Sequence, residues 1–222
     1  MTEIPIIDFN EMDLAVSRKL DTAFREIGFA IVTNVYEQYT NDFTIWEQLI
    51  KEFFDLPLEV KNKYKYSGVQ QNLGYSEMES EWLHPDRPGD LKEAYNWKAP
   101  YDMDDKYWPT EIPMFRTQAE KIERIMRYLS FKFLERFEFA LGLPYGYLVE
   151  KHLYGTTTAR IIHYPKYEGP VEKEQLRGNE HTDYDTFTML FRFQDCGGLF
   201  VKTIDGEWIE VPVIENSIVV NI

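Results

Sequence analysis

The stretch Gly178-Asn179-Glu180-His181-Thr182-Asp183-Tyr184-Asp185-Thr186-Phe187-Thr188-Met189-Leu190 sets a His-x-Asp pair directly ahead of a run of β-favouring residues. On an extended backbone, residues i and i+2 point to the same face. His181 and Asp183 would then project together, an imidazole beside a carboxylate. They are two of the three donors in the 2-His-1-carboxylate arrangement that holds non-haem Fe(II) and leaves positions open for substrate and O2. The same pair also suits a solvated polar loop before a strand, and spacing alone does not choose between the two.

Around this stretch, from Gly155 onward, the texture is strands and turns. Thr157 to Tyr164 reads as a strand closed by Pro165, and the loop Lys166 to Glu180 is charged and punctuated by glycine. Thr186 to Phe193 is a further strand. Gly197-Gly198 turns into Leu199 to Thr203, and Asp205-Gly206 is a hairpin signal before Glu207 to Val211. Ser217 to Ile222 is the last strand. Short strands at short intervals point to a sandwich, jelly roll or barrel.

Upstream of Gly155 the pattern is mostly helical. Ile4 to Phe9 reads as a short strand, with Pro5 suiting an edge or a strand start. Met12 to Ile27 carries apolar residues at helical spacing, and Gly28 follows as a stop. Phe29 to Val35 is a buried strand. Thr40 to Phe54 is an amphipathic helix, and Pro57 opens a short helix through Tyr64. Arg116 to Leu141 is the longest helix, expected to pack on a sheet, with Glu123 and Arg127 paired on its wet side. Tyr147 to Tyr154 is a short helical piece. Between Lys65 and Trp108, glycines and prolines interrupt every periodicity. That segment reads as a long loop carrying Tyr66, Tyr75, Trp82, Tyr95, Trp97 and Tyr101, either a cover over a substrate or an irregular surface wrap. No linker composition separates the parts. The expectation is one mixed α+β domain over residues 1–222, helical through 155 and β from 156.

Composition bounds the function. The chain has 222 residues, 44% of them hydrophobic, with 15 Tyr, 15 Phe and 5 Trp, enough for a sizeable core. A net charge of −14 repels nucleic acid. The single cysteine, Cys196, forms no internal disulfide and suits a reducing cytoplasm. Neither a signal-like N-terminus nor an apolar run of membrane-spanning length is visible, so no membrane partner is expected.

Seven segments then stand in register: "PIIDF", "GFAIVTNV", "FFDLPLEVKNKY", "ARIIHYP", "HTDYDTFTML", "GGLFVKTIDGEWIEVP" and "SIVVNI". Together they resemble the isopenicillin N synthase-like family of Fe(II)/2-oxoglutarate-dependent oxygenases, from Ile4 to Ile222. The resemblance implies a helical N-terminal region packed on a double-stranded β-helix, or jelly roll. It implies Fe(II), 2-oxoglutarate and O2 as cofactor and cosubstrates, and a small-molecule substrate. His181 and Asp183 match the first two iron ligands. Tyr164 matches a tyrosine that contacts 2-oxoglutarate or the primary substrate, unless its hydroxyl is simply satisfied within the barrel. Arg160 would share a face with Tyr164 and meet either a carboxylate or a structural ion partner. The implied reaction is oxidative decarboxylation to succinate and CO2 coupled to attack on a C–H bond, ending in hydroxylation, desaturation or ring closure.

The chain also departs from the family. The family's second histidine ligand and its 2-oxoglutarate-binding Arg-x-Ser arginine come further on, and no histidine follows His181 here. His84, His152 and His163 read as surface or packing histidines. The expectation is a fragment with an incomplete barrel, poorly stable, weakly metal-binding and inactive by itself, the implied reaction belonging to the intact protein. The competing readings are an oxidase of the same scaffold that uses no 2-oxoglutarate, an ethylene-forming relative, and a non-catalytic β-barrel module.

Overall fold

A computed structural model describes residues 3–68, 70–82, 86–99, 103–193 and 197–222. His84, Tyr101 and Cys196 lie outside the described residues. In chain order the elements are β1 (Ile6–Asp8), α1 (Asp13–Glu26), β2 (Phe29–Thr33), α2 (Thr40–Phe54), α3 (Leu58–Lys61), β3 (Gly74–Ser76), β4 (Glu93–Ala99), α4 (Phe115–Leu141), α5 (Tyr147–His152), β5 (Thr157–His163), β6 (Thr188–Phe191), β7 (Phe200–Lys202), β8 (Trp208–Glu210) and β9 (Ser217–Asn221). No described helix is long and apolar enough to cross a membrane. Backbone contacts divide the chain into two compact units. One comprises Met1–Thr40, Ile125–Gly155 and Asp183–Ile222; the other comprises Asn41–Arg124 and Thr156–Thr182. The change of texture near residue 155 is real along the sequence, yet each unit draws segments from both sides of it.

The first unit is built on a sheet of order β1-β2-β9-β6. β1 runs parallel to β2, and β9 lies antiparallel to both β2 and β6. The apolar run Ile218-Val219-Val220 in β9 is fully buried, as a central strand with both faces covered demands. Ile4, Ile31, Val201, Val211 and Val219 form one core cluster of this unit. A second layer is aromatic: Phe133 of α4 stacks 4.6 Å from Phe9, and Phe137 meets Phe24 at 5.5 Å and Phe187 at 5.3 Å. α1 stops where Gly28, at φ +80°, turns the chain, with the Ile27 and Gly28 amides both donating to the Ala23 carbonyl. The hairpin at Asp205-Gly206 forms as expected, pairing Lys202 with Trp208.

The second unit holds the antiparallel sheet β3-β4-β5. Its core is aromatic. Phe53 lies 5.1 Å from Tyr95, and Trp46 lies 4.9 Å from Phe115 and 5.5 Å from Trp97. Here the structure corrects the reading of residues 65–108, because two strands, β3 and β4, lie inside the expected loop. Tyr75, Tyr95 and Trp97 are buried core residues rather than exposed loop aromatics, while Trp82 is exposed. Glu93 and Asn96 interrupt the apolar pattern of β4, yet both are buried, so hydrophobic alternation could not reveal the strand. A second correction concerns Glu123, which is buried and not on a wet face, while Arg127 donates to the Leu153 carbonyl.

Glu138, on the last turns of α4, is almost inaccessible to solvent. Its Oε2 accepts from the Gly146 amide at 2.7 Å, and its Oε1 accepts from the Leu148 and Val149 amides at 2.7 and 3.0 Å. One carboxylate therefore satisfies the amides at the start of α5, which have no partner within their own helix. Glu138→Ala is expected to lower the unfolding free energy by about 3 kcal/mol. The urea midpoint measures this; an unchanged midpoint would show those amides to be satisfied by other means.

Candidate metal centre

His181 and Asp183 sit on an exposed segment between β5 and β6, ahead of the strand rather than within it. β6 is shorter than the expected Thr186 to Phe193, starting only at Thr188. His181 belongs to the second unit. Its Nδ1 lies 2.9 Å from the Asn179 carbonyl oxygen. A carbonyl only accepts, so Nδ1 carries the proton and the lone pair of the neutral ring falls on Nε2. That is the form of imidazole a metal takes, with the other nitrogen held by a backbone carbonyl.

Asp183 belongs to the first unit. Its Oδ2 accepts from Thr188 Oγ1 at 2.7 Å and from Asn221 Nδ2 at 2.9 Å. Thr188 and Asn221 are register partners across β6 and β9, so sheet pairing places both donors. In the same unit His152 Nδ1 donates to the Leu148 carbonyl at 2.7 Å, and its Nε2 faces Thr186 Oγ1 at 2.9 Å. His152 thus braces the segment that follows Asp183, a packing role. Each donor, taken by itself, is of a kind Fe(II) accepts: an imidazole held at Nδ1 by a backbone carbonyl, and a carboxylate held at Oδ2 by Thr188 and Asn221. Among the described residues no group of three or more His, Cys, Asp or Glu side chains gathers into a metal-binding cluster.

Tyr164 and Arg160 lie in the second unit, on β5 and just past its end. Tyr164 is half exposed, and a Cβ placed on Gly178 would lie 3.8 Å from its hydroxyl. Partial burial holds the phenol above its ordinary pKa of 10.0, against the opposing pull of the nearby Arg160 cation. Tyr164 therefore remains an O–H donor across the physiological range. Arg160 forms an ion pair with Glu81.

His163 is held in a different cluster. Its Nδ1 lies 2.8 Å from Glu93 Oε1, and its ring stacks on Phe54 at 5.0 Å. Glu93 Oε2 accepts from Lys61 Nζ at 2.7 Å and from the Tyr75 hydroxyl. Lys61 Nζ donates as well to the Phe54 carbonyl at 2.9 Å. Burial pushes the Glu93 carboxyl up, but the hydrogen bonds from His163, Lys61 and Tyr75 outweigh it and hold the carboxyl below its ordinary 4.5.

Sequence reasoning missed the support beneath His181. Asn179 is buried and Asp90 has no solvent access. Asp90 Oδ1 accepts from the Asn179 amide at 3.3 Å and from Asn179 Nδ2 at 2.7 Å, and Arg87 donates to Asn179 Oδ1 at 2.8 Å. Asp90 Oδ2 accepts from Lys92 Nζ at 2.7 Å. The only hint in the sequence was a charged run, Asp90-Leu91-Lys92-Glu93, inside a segment read as loop.

Residues 4–115 match the family model described as the N-terminal region of the non-haem dioxygenase in morphine synthesis, and residues 156–222 match that of the 2OG-Fe(II) oxygenase superfamily. The chain belongs to the 2OG-Fe(II) oxygenases. A UPF0676 protein of Schizosaccharomyces pombe is 29% identical over 237 residues, covering 99% of this chain and 70% of its own length. The 1-aminocyclopropane-1-carboxylate oxidase of Dictyostelium mucoroides is 24% identical over 269 residues, covering 99% of this chain and 72% of its own. Among solved structures, a full-length Neurospora crassa protein in complex with alpha-KG superposes with a TM-score of 0.85 at 27% identity, over 98% of this chain and 72% of the Neurospora chain. The same Neurospora protein has also been solved with alpha-KG and thymine. The mixed helix-and-strand architecture is thus that of the 2OG-Fe(II) oxygenases, whose fold is the double-stranded β-helix. The protein is an oxidoreductase of this family, with Fe(II) as cofactor and 2-oxoglutarate and O2 as cosubstrates.

Glu93 yields a pH-dependent outcome. Its carboxyl is depressed in the folded state, so it contributes stability above the unfolded value near 4.5 that is lost as pH falls through the lower folded value. Glu93→Gln is expected to flatten the acid limb of a stability-against-pH curve. Lys61→Met, which strands the buried carboxylate, is expected to cost about 3–5 kcal/mol at neutral pH by denaturant titration.

Proposed function

We propose that His181 and Asp183 hold the Fe(II) and that the enzyme oxidises a small-molecule substrate while 2-oxoglutarate is converted to succinate and CO2. The observation that carries this reading is the pair of preset donors within the matched oxygenase segment. His181 is held as the Nδ1–H tautomer by the Asn179 carbonyl, and Asp183 is held by Thr188 and Asn221. When bound, Fe(II) and 2-oxoglutarate supply the activation of O2 that attack on an unactivated C–H bond requires.

The chain's own residues supply placement. His181 offers a neutral nitrogen whose direction is set before any ligand arrives, so little reorganisation accompanies binding. Asp183 offers a negative oxygen donor. The two hydrogen bonds on its Oδ2, from Thr188 and Asn221, resist its rotation. Tyr164, kept protonated, donates a hydrogen bond to a carboxylate of 2-oxoglutarate or to a polar group of the substrate. Arg160, fixed by Glu81, supports that donor. A small organic substrate agrees with the thymine bound by the Neurospora crassa protein. The cytoplasm, where free thiols stay reduced, is the compartment we assign to it.

The test is Fe(II)-dependent formation of succinate from 2-oxoglutarate by the intact protein, screened against a panel of small heterocycles and carboxylic acids. His181→Ala and Asp183→Ala are each expected to lower turnover by at least about a hundredfold, while keeping the thermal unfolding transition. Succinate formation that continues undiminished in both variants would overturn the assignment. Tyr164→Phe is expected to raise the KM for 2-oxoglutarate or for the substrate by about tenfold, the loss of roughly one hydrogen bond to a charged or polar group, with metal affinity unchanged.

A further inference from the structure

We infer that Asp90 is a positioning residue for the metal ligand His181, acting through Asn179. The inference rests on the reading of His181 as a ligand, but it is argued from contacts made within the second unit alone.

Asn179 has two backbone groups and two side-chain groups, and the structure accounts for each. Its amide N–H and its side-chain NH2 both donate to Asp90 Oδ1, at 3.3 and 2.7 Å. Its side-chain carbonyl accepts from Arg87 at 2.8 Å. Its backbone carbonyl receives His181 Nδ1 at 2.9 Å. The two bonds to Asp90 hold the amide and the side chain of Asn179 together, anchoring the residue whose carbonyl, in the next peptide, selects the histidine tautomer. His181 is exposed, Asn179 is 2% exposed and Asp90 is 0% exposed. The ring that would face the metal therefore takes its orientation from an anchor buried two hydrogen bonds behind it.

Asp90 is itself immobilised. Its amide donates to the Glu81 carbonyl at 2.9 Å, and its carbonyl accepts from the Glu79 amide at 3.1 Å. A Cβ on the preceding residue, Gly89, would come within 2.2 Å of the Glu79 carbonyl oxygen, so only glycine permits this approach of the two backbones. Gln175 donates to Glu79 at 2.9 Å and to the Gly89 carbonyl at 3.1 Å, and the Leu91 amide donates to the Leu176 carbonyl at 2.9 Å. Three stretches, 79–81, 89–92 and 175–179, are knitted at this point. The charge on Asp90 is met by Lys92 at 2.7 Å, and Lys92 also faces Glu81 at 3.7 Å, the partner of Arg160. One buried carboxylate thus ties the His181 segment to the ion pair beside Tyr164.

Removing the group that orients a metal-bound histidine typically lowers metal affinity by 10–100-fold. The test uses the whole chain, with 15N-labelled histidine for imidazole NMR above the histidine titration range and with Mn(II) as the metal probe. Wild type should show His181, assigned by its loss in His181→Ala, as a single Nδ1–H tautomer. Asn179→Ala and Asp90→Asn should remain folded, shift that signal to a mixture of tautomers and weaken Mn(II) binding by about tenfold or more. A folded Asn179→Ala with unaltered tautomer and Mn(II) affinity overturns the inference, as does a wild-type His181 protonated on Nε2. If Asp90→Asn fails to fold, Asn179→Ala decides alone. Mn(II) affinity that is equal in wild type and His181→Ala overturns the metal-ligand reading instead, and the tautomer signal still decides whether Asp90 positions the ring.

Discussion

A carboxylate with no access to water must have its charge and its lone pairs met by the protein, and Asp90 imposes that condition on much of the second unit. Lys92 meets the charge, Asn179 meets the second oxygen, and Gly89 lets the backbone of Glu79 come close enough to close the arrangement. Just beyond Asp90–Leu91–Lys92, Glu93 is buried as well, reaching Lys61 of α3, Tyr75 of β3 and His163 of β5. A short charged run therefore sends its side chains into two separate buried networks. Loss of the lysine in either leaves a buried carboxylate without its cation in a medium that solvates it poorly, so the run around residues 90–93 tolerates little change.

The first unit solves the same problem by apolar packing and backbone pairing. β9 is buried on both faces between β2 and β6, and the aromatic contacts of Phe133 and Phe137 fill the space over α4. Its deeply buried carboxylate, Glu138 on α4, is satisfied by backbone amides. The two residues of the His-x-Asp pair are consequently held by unlike means. Asp183 depends on the register of two strands, which places Thr188 and Asn221 opposite each other. His181 depends on a polar network with no regular secondary structure at its centre.

That difference explains what could be read from the sequence. Elements whose signals are local were legible: the apolar stripe of α2 from Thr40 to Phe54, the Gly28 stop after α1, the Asp205-Gly206 hairpin, and the His-x-Asp spacing itself. Elements defined by distant partners were not. β4 carries Glu93 and Asn96 in buried positions; backbone pairing with β3 and β5 makes a strand of them, and Lys61 meets the Glu93 charge. The same segment hid Tyr75, Tyr95 and Trp97, which looked like loop aromatics because their neighbours were glycine, proline and charge. Glu123 was read as solvent-facing from a helical charge pattern, yet it is buried. The residue types of the site were visible one by one; the bonds from Asn179 to Asp90 and from Thr188 to Asp183 needed the fold.

The interleaving of the two units bears on how the chain is made. β2 emerges early from the ribosome, with only β1 to pair with, and its other neighbour, β9, lies far along the sequence, where Asn221 meets Phe29. The second unit likewise stays open until β5 and the stretch through Thr182 have been synthesised. Neither unit can close on a nascent chain until these late segments have appeared, and pairing across so much intervening sequence is intrinsically slow. The Phe29-Ala30-Ile31-Val32 run, apolar and strand-forming, spends that interval with an unmatched edge, a template for wrong pairing until β9 arrives.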